Sequence, residues 1–128
     1  MPELFMNPVY NTIGKTYDLT RKADPEIVRI LLSLLKIQPD GHCLDVGCGS
    51  GNYSNAISSS GCRVTGLDVS ETMLAKAKIK YPEIDWILGD ARDLPFMDSS
   101  FDAASCILAT HHIKDIEIAF REVYRTLK

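Results

Sequence analysis

Residues 44–52, Leu44-Asp45-Val46-Gly47-Cys48-Gly49-Ser50-Gly51-Asn52, set a short apolar strand directly against three glycines at alternate positions. Glycine costs backbone entropy and offers no side chain to a core. A chain accepts it most readily where the backbone turns tightly or approaches a ligand. The apolar residues of His42–Val46 are too dense for clean alternation, which predicts a strand covered on both faces. A helix is predicted from Asn52 to Ser60, with Gly61 as its C-terminal cap.

The same alternation continues on both sides of this stretch. Upstream, Asp24-Pro25 has the form of an N-cap followed by proline at the first helical position. Ile27, Ile30, Leu31, Leu34 and Leu35 then recur at helical spacing, and Gln38-Pro39-Asp40-Gly41 supplies a turn. Downstream, Arg63–Leu67 is a second strand ending at Asp68. Ser70 caps a helix with Met73, Leu74, Ala77 and Tyr81 on its inner face, and Pro82 stops it. Ile84–Leu88 is a third strand, followed by Gly89-Asp90. Ala91–Ser100 is a polar loop with the apolar knuckle Leu94-Pro95-Phe96. Phe101–Leu108 is a fourth strand, and Ile116, Phe120, Val123 and Leu127 mark one face of a final helix from Asp115. This order predicts an α/β fold, a parallel sheet with right-handed crossovers and helices on both faces.

Composition narrows the function. The chain has 128 residues, is 45% apolar and carries a net charge of −3, and no basic stripe supports nucleic-acid binding. No apolar stretch is long enough to span a membrane, and the first residues do not have the form of a signal peptide. The cysteines, Cys43, Cys48, Cys62 and Cys106, show no C-x-x-C pair. They are expected as buried free thiols rather than metal ligands, and a reducing cytoplasm is the expected location. Residues 1–23, with Tyr10 and Tyr17, form either a surface arm docked by its aromatics or a flap over a pocket. Residues 24–128 form the domain. A four-stranded sheet leaves an apolar edge unpaired, so the chain is expected to be a fragment or to pair with a second copy as a homodimer.

The ligand follows from the ends of the strands. Open α/β sheets bind ligands at their carboxyl ends, and the glycine turn with its helix N-terminus lies there. Asp68, 23 positions after Asp45, falls where a carboxylate accepts both hydroxyls of a ribose, and Asp90 reaches the same rim. The competing ligand is a dinucleotide such as NAD, bound by an oxidoreductase. Its Gly-x-Gly-x-x-Gly fingerprint is not met, because the third glycine comes one residue early and Asn52 occupies the sixth position. Asp45 before the turn adds negative charge that opposes a pyrophosphate and suits an ammonium or sulfonium. No Gly-Lys-Ser/Thr follows, which excludes a P-loop.

LDVGCGSGNY at 44–53, GLDVS at 66–70, GDARDLPFMDSSFD at 89–102 and AFREVYRTLK at 119–128 together resemble the S-adenosylmethionine-dependent class I methyltransferases, in particular the large subfamily acting mostly on small molecules. The resemblance covers residues 24–128. It implies a Rossmann-like, three-layer α/β/α fold of strand order 3-2-1-4, with the family's strands 5–7 missing. It implies methyl transfer from S-adenosylmethionine, leaving S-adenosylhomocysteine, by in-line displacement onto a small-molecule acceptor.

The same resemblance assigns residues. Asp45 and the turn residues Gly47, Cys48, Gly49 and Gly51 face the methionine part of the cofactor. Asp68 binds the ribose, Val69 packs on adenine, and Asp90 with Ala91 reads the adenine edge. Leu108, Ala109 and His112 line the donor or acceptor side, and Arg21 lies near the methionine end. Tyr53, opening a helix beside the turn, is a further pocket candidate. His111, His112 and Tyr17 are the candidates for acid–base work by type, against capping or packing roles for the histidines. A non-catalytic cofactor-binding module, completed by another chain, is the alternative.

Overall fold

The computed structural model describes residues 22–107 and 113–128. Its elements are α1 (Pro25–Leu35), β1 (His42–Val46), α2 (Asn52–Ser59), β2 (Arg63–Asp68), α3 (Glu71–Lys80), β3 (Asp85–Leu88), β4 (Ala103–Ser105) and α4 (Ile116–Thr126). The sheet is parallel throughout and ordered β3-β2-β1-β4, bearing out the predicted topology. β1 lies at the centre with Cys43, Leu44, Asp45 and Val46 all buried, as its dense apolar sequence requires.

Two cores flank the sheet. One gathers Cys43, Ile57, Cys62, Val64, Leu74, Ala77, Ile84 and Trp86 on the side of α1, α2 and α3. The other gathers Leu44, Val46, Leu67, Ala91, Leu94, Phe101 and Ala119 on the side of α4. The helix starts follow local chemistry. Asp24 accepts from the N–H groups of Glu26 (2.8 Å) and Ile27 (3.4 Å), and the Ser70 hydroxyl accepts from Met73 N–H (3.2 Å). Gly61, at φ +110°, follows α2 in the left-handed region.

Three expectations are corrected. The fourth strand is three residues long, because only Ala103, Ala104 and Ser105 find ladder partners on β1. Phe101 makes an isolated parallel bridge with Leu127, and its ring packs edge-on against His42 and Phe96. In α1 the inward residues are Leu31, Leu32 and Leu35, whereas Ile30 and Leu34 are exposed. In α4 Ile116, Val123 and Leu127 pack inward as predicted, but Phe120 is exposed and Ala119, one residue before it, is buried in its place.

The polar loop 91–100 is held more firmly than its composition suggested. Glu122 accepts the Leu94 N–H (2.8 Å), while Arg125 donates to the carbonyls of Leu94 (3.0 Å) and Phe96 (2.8 Å) and pairs with Asp98. All four cysteines are free, with Cys43 and Cys62 buried. Among the described residues no group of three or more His, Cys, Asp or Glu could hold a metal, and no helix is long and apolar enough to cross a membrane.

Phe101 joins the loop, the sheet and the chain's last residues at 2% exposure. Phe101→Ala is expected to lower unfolding free energy by roughly 3–5 kcal/mol, the usual cost of deleting a buried aromatic, as read from denaturant melts. A loss under about 1 kcal/mol would mean that the ring is not a joint of the fold.

Candidate functional site

The carboxyl ends of β1, β2 and β3 meet where the strand order reverses about β1. Here Gly47, Gly49 and Gly51 take φ of +69°, +59° and +90°. That backbone is open to glycine and strained for other residues, which explains the alternate spacing. The turn spends its own donors. Gly47 N–H (2.8 Å) and Cys48 N–H (3.0 Å) donate to the Leu67 carbonyl, Gly49 N–H to Asp68 Oδ2 (2.8 Å) and Gly51 N–H to the Cys48 carbonyl (3.1 Å). The expected set of backbone donors is therefore committed to the fold at these four positions, which leaves a pyrophosphate little to bind there.

Beneath the turn lie two carboxylates. Asp45 is 2% exposed, and its oxygens accept from the Ser54 hydroxyl of α2 (2.5 Å) and the Ser105 hydroxyl of β4 (3.2 Å). Asp68 is 1% exposed and accepts from Gly49 N–H and from Ser70 N–H (2.9 Å). Neither forms an ion pair among the described residues. Burial drives the Asp45 carboxyl from an ordinary 3.8 up to about 6, opposed by the serine hydrogen bonds and reinforced by the Asp68 charge. Burial also raises Asp68, against the backbone donors at Ser70, Gly49 and Val69. The same burial, with the Asp45 charge, pushes the Cys106 thiol up to about 12 and Cys48 well above its ordinary value. Burial thus favours the neutral thiol in both, the less nucleophilic form.

Beside the turn a small open recess is lined by Val46, Gly47, Leu67, Val69, Gly89, Asp90, Ala91, Arg92, Ile113 and Lys114. It unites four of the expected residues, Gly47, Val69, Asp90 and Ala91. Asp45, Asp68, Cys48, Gly49, Gly51 and Tyr53 do not line it. Asp68 is drawn under the turn as a tether between Gly49 and the β2–α3 corner, rather than standing open on the rim. Tyr53 turns away, its hydroxyl accepting the Asp24 N–H (3.0 Å) at the start of α1. Leu108, Ala109, His111, His112, Tyr10, Tyr17 and Arg21 lie outside the described residues.

Sequence reasoning missed Arg92, Ser54 and Ser105. Arg92 grips Asp90 through Nε (3.0 Å) and Nη2 (2.6 Å), and reaches Asp115 at 3.6 Å. The Asp90 carboxyl is held below its ordinary range chiefly by that hydrogen bonding and stays ionised. Its one local signal was the Asp-x-Arg spacing, since Arg92 N–H also donates back to Asp90 Oδ1 (2.9 Å) in a side-chain turn. Ser54 and Ser105 have no local signal, being 9 and 60 positions from Asp45.

Residues 44–128 match the family described as a methyltransferase domain. The chain belongs to that family, the S-adenosylmethionine-dependent class I methyltransferases. It is 34% identical over 105 residues to squalene methyltransferase 1 of Botryococcus braunii, covering 77% of this chain and 28% of that one. It is 35% identical over 100 residues to demethylmenaquinone methyltransferase of Renibacterium salmoninarum, covering 78% and 42%. The crystal structure of an S-adenosylmethionine-dependent methyltransferase from Mesorhizobium loti superposes with a TM-score of 0.68 at 33% identity, over 77% of this chain and 48% of that one. The methyltransferase domain here thus spans less than half the length of each of these relatives.

The buried charge of Asp45 has a sign that stability measurements can read. Its folded carboxyl titrates above its unfolded one, so its contribution is fully present below about pH 4 and is lost as pH rises through about 6. Asp45→Asn is therefore expected to stabilise the protein by up to about 3 kcal/mol at pH 8, with the advantage vanishing near pH 4. Melting both proteins across that range checks it; a variant less stable at pH 8 would show that the carboxylate is compensated.

Proposed function

We propose that this chain is the cofactor-holding part of a methyltransferase that moves the methyl group of S-adenosylmethionine in line onto a small-molecule acceptor. One observation carries the proposal: a fully buried carboxylate, Asp45, sits under the glycine turn with two hydroxyls and no cation among its described partners. A fold keeps such a charge against its desolvation cost where function uses it. The charge favours a ligand bearing an ammonium and a sulfonium and disfavours a pyrophosphate.

The residues present fit that cofactor. Val46, Leu67, Val69 and Ala91 give the recess apolar walls suited to a purine face, and the ionised Asp90 offers acceptors for an exocyclic amine. Asp68 supports the ribose end from beneath, by holding the turn through Gly49 N–H and the head of α3 through Ser70 N–H. Bound there, the sulfonium supplies an already activated methyl group, so alignment of the acceptor is the main demand on the protein. The squalene and demethylmenaquinone enzymes among its relatives support a small-molecule acceptor. Free thiols fit a reducing compartment, and we place the protein in the cytoplasm.

A second reading rests on the outer face of β4. Val46, Ala104, Ser105, Cys106, Phe120 and Val123 are among the walls of an open apolar groove there, next to an edge strand. In that reading the chain binds the cofactor without turnover, and a second copy covers the groove. Sedimentation velocity is expected to show a dimer that Phe120→Glu dissociates; a monomer at all concentrations removes this reading.

Calorimetric titration separates cofactors. S-adenosylmethionine and S-adenosylhomocysteine are expected to bind and NAD is not. Affinity for S-adenosylmethionine is expected to fall as pH drops through about 6, where Asp45 takes up a proton. Binding of NAD alone would overturn the proposal.

A further inference from the structure

The chain's single tryptophan stands directly behind the cofactor turn. Trp86 is cross-strand from Gly66 in the β2–β3 ladder, and its ring fills the space a side chain at that glycine would need. A Cβ at Gly66 would stand 2.5 Å from Cζ3 and 2.6 Å from Cε3. The far edge of the ring fills the space beneath Gly51, the residue that starts α2, so that a Cβ there would overlap Cη2. The ring's orientation is fixed by Nε1–H donating to the Tyr81 carbonyl (2.9 Å) at the end of α3. One indole thus spans β2, the start of α2 and the end of α3. The turn is also tethered to β2 by the bonds from Gly47, Cys48 and Gly49 to Leu67 and Asp68.

We propose that Trp86 is a positioning residue: a wedge that sets the height of the Gly47–Gly51 turn above the sheet, and through it the geometry of the cofactor site. The two glycines are the complement of the wedge. Gly66 and Gly51 each supply the absent side chain whose space the ring takes. Gly51 is thus required twice, by its φ of +90° and by the indole beneath it. A wedge working against tethers holds a turn at one height, whereas tethers alone leave it free to settle toward the strand. The ligand part of this inference rests on the proposed cofactor.

Trp86→Phe keeps an aromatic ring over Gly66 and removes the edge under Gly51. Val64→Ala, a buried deletion on β2 in the same core, controls for general loss of stability. With S-adenosylhomocysteine as the calorimetric probe, Trp86→Phe is expected to weaken binding about tenfold or more while Val64→Ala lowers Tm and keeps wild-type affinity. Wild-type affinity in Trp86→Phe, or equal losses in both variants, overturns the proposal. If the unmodified chain binds no cofactor, the cofactor reading fails and amide exchange in the free protein decides the positioning role. The Gly49 and Gly51 amides should then exchange faster in Trp86→Phe than in Val64→Ala, and equal rates overturn it. Should Trp86→Phe not fold, Trp86→Tyr carries the same comparison.

Discussion

Two carboxylates buried under one turn organise this molecule. Asp45 leaves the end of the central strand and is held by hydroxyls from α2 and β4, so that three elements converge on one charge. Asp68 leaves the neighbouring strand and accepts from Gly49 N–H in the turn and Ser70 N–H at the head of α3. Between them they fix the register of everything at the carboxyl edge of the sheet. Neither arrangement is what stability alone would select, because a buried carboxylate with no cation among the described residues is costly, and hydroxyl and backbone N–H donors offset only part of that cost.

The site follows from that constraint. A turn whose N–H groups are committed internally presents little to a phosphate, and the carboxylates below it give the region a negative potential. A cationic nucleoside meets both conditions. The recess beside the turn is apolar on the strand side and polar at Asp90 and Arg92, a lining that suits the planar ring and amine of the proposed cofactor. Arg92 matters here because its paired contacts on Asp90 fix the carboxylate's direction and keep it ionised.

Much of this was legible in the chain itself. Asp24-Pro25, Ser70 and Gly61 declared helix ends through local chemistry, and β1 matched its expected bounds. Phe120 and Leu34 were misplaced because an apolar periodicity defines a broad stripe, and packing then selects which side of it turns inward. The fourth strand was overestimated because an apolar run does not reveal how far a neighbouring strand extends to pair with it. Ser105 and Trp86 carried no local mark at all. Their significance comes from residues that the fold brings to them across the sheet.

The sequence by itself determined the alternation of strand and helix, the glycine turn after the first strand and the family to which these belong. Each of these is encoded within a few neighbouring residues, by side-chain period, capping oxygen or tolerated φ. Tertiary structure decided that Asp45 is fully buried and titrates near 6, that Asp68 serves as a tether, and that Gly51 makes room for an indole. Burial and wedging are properties of contacts between distant segments. A carboxylate's charge depends on what surrounds it, and that is set only when the sheet closes over it.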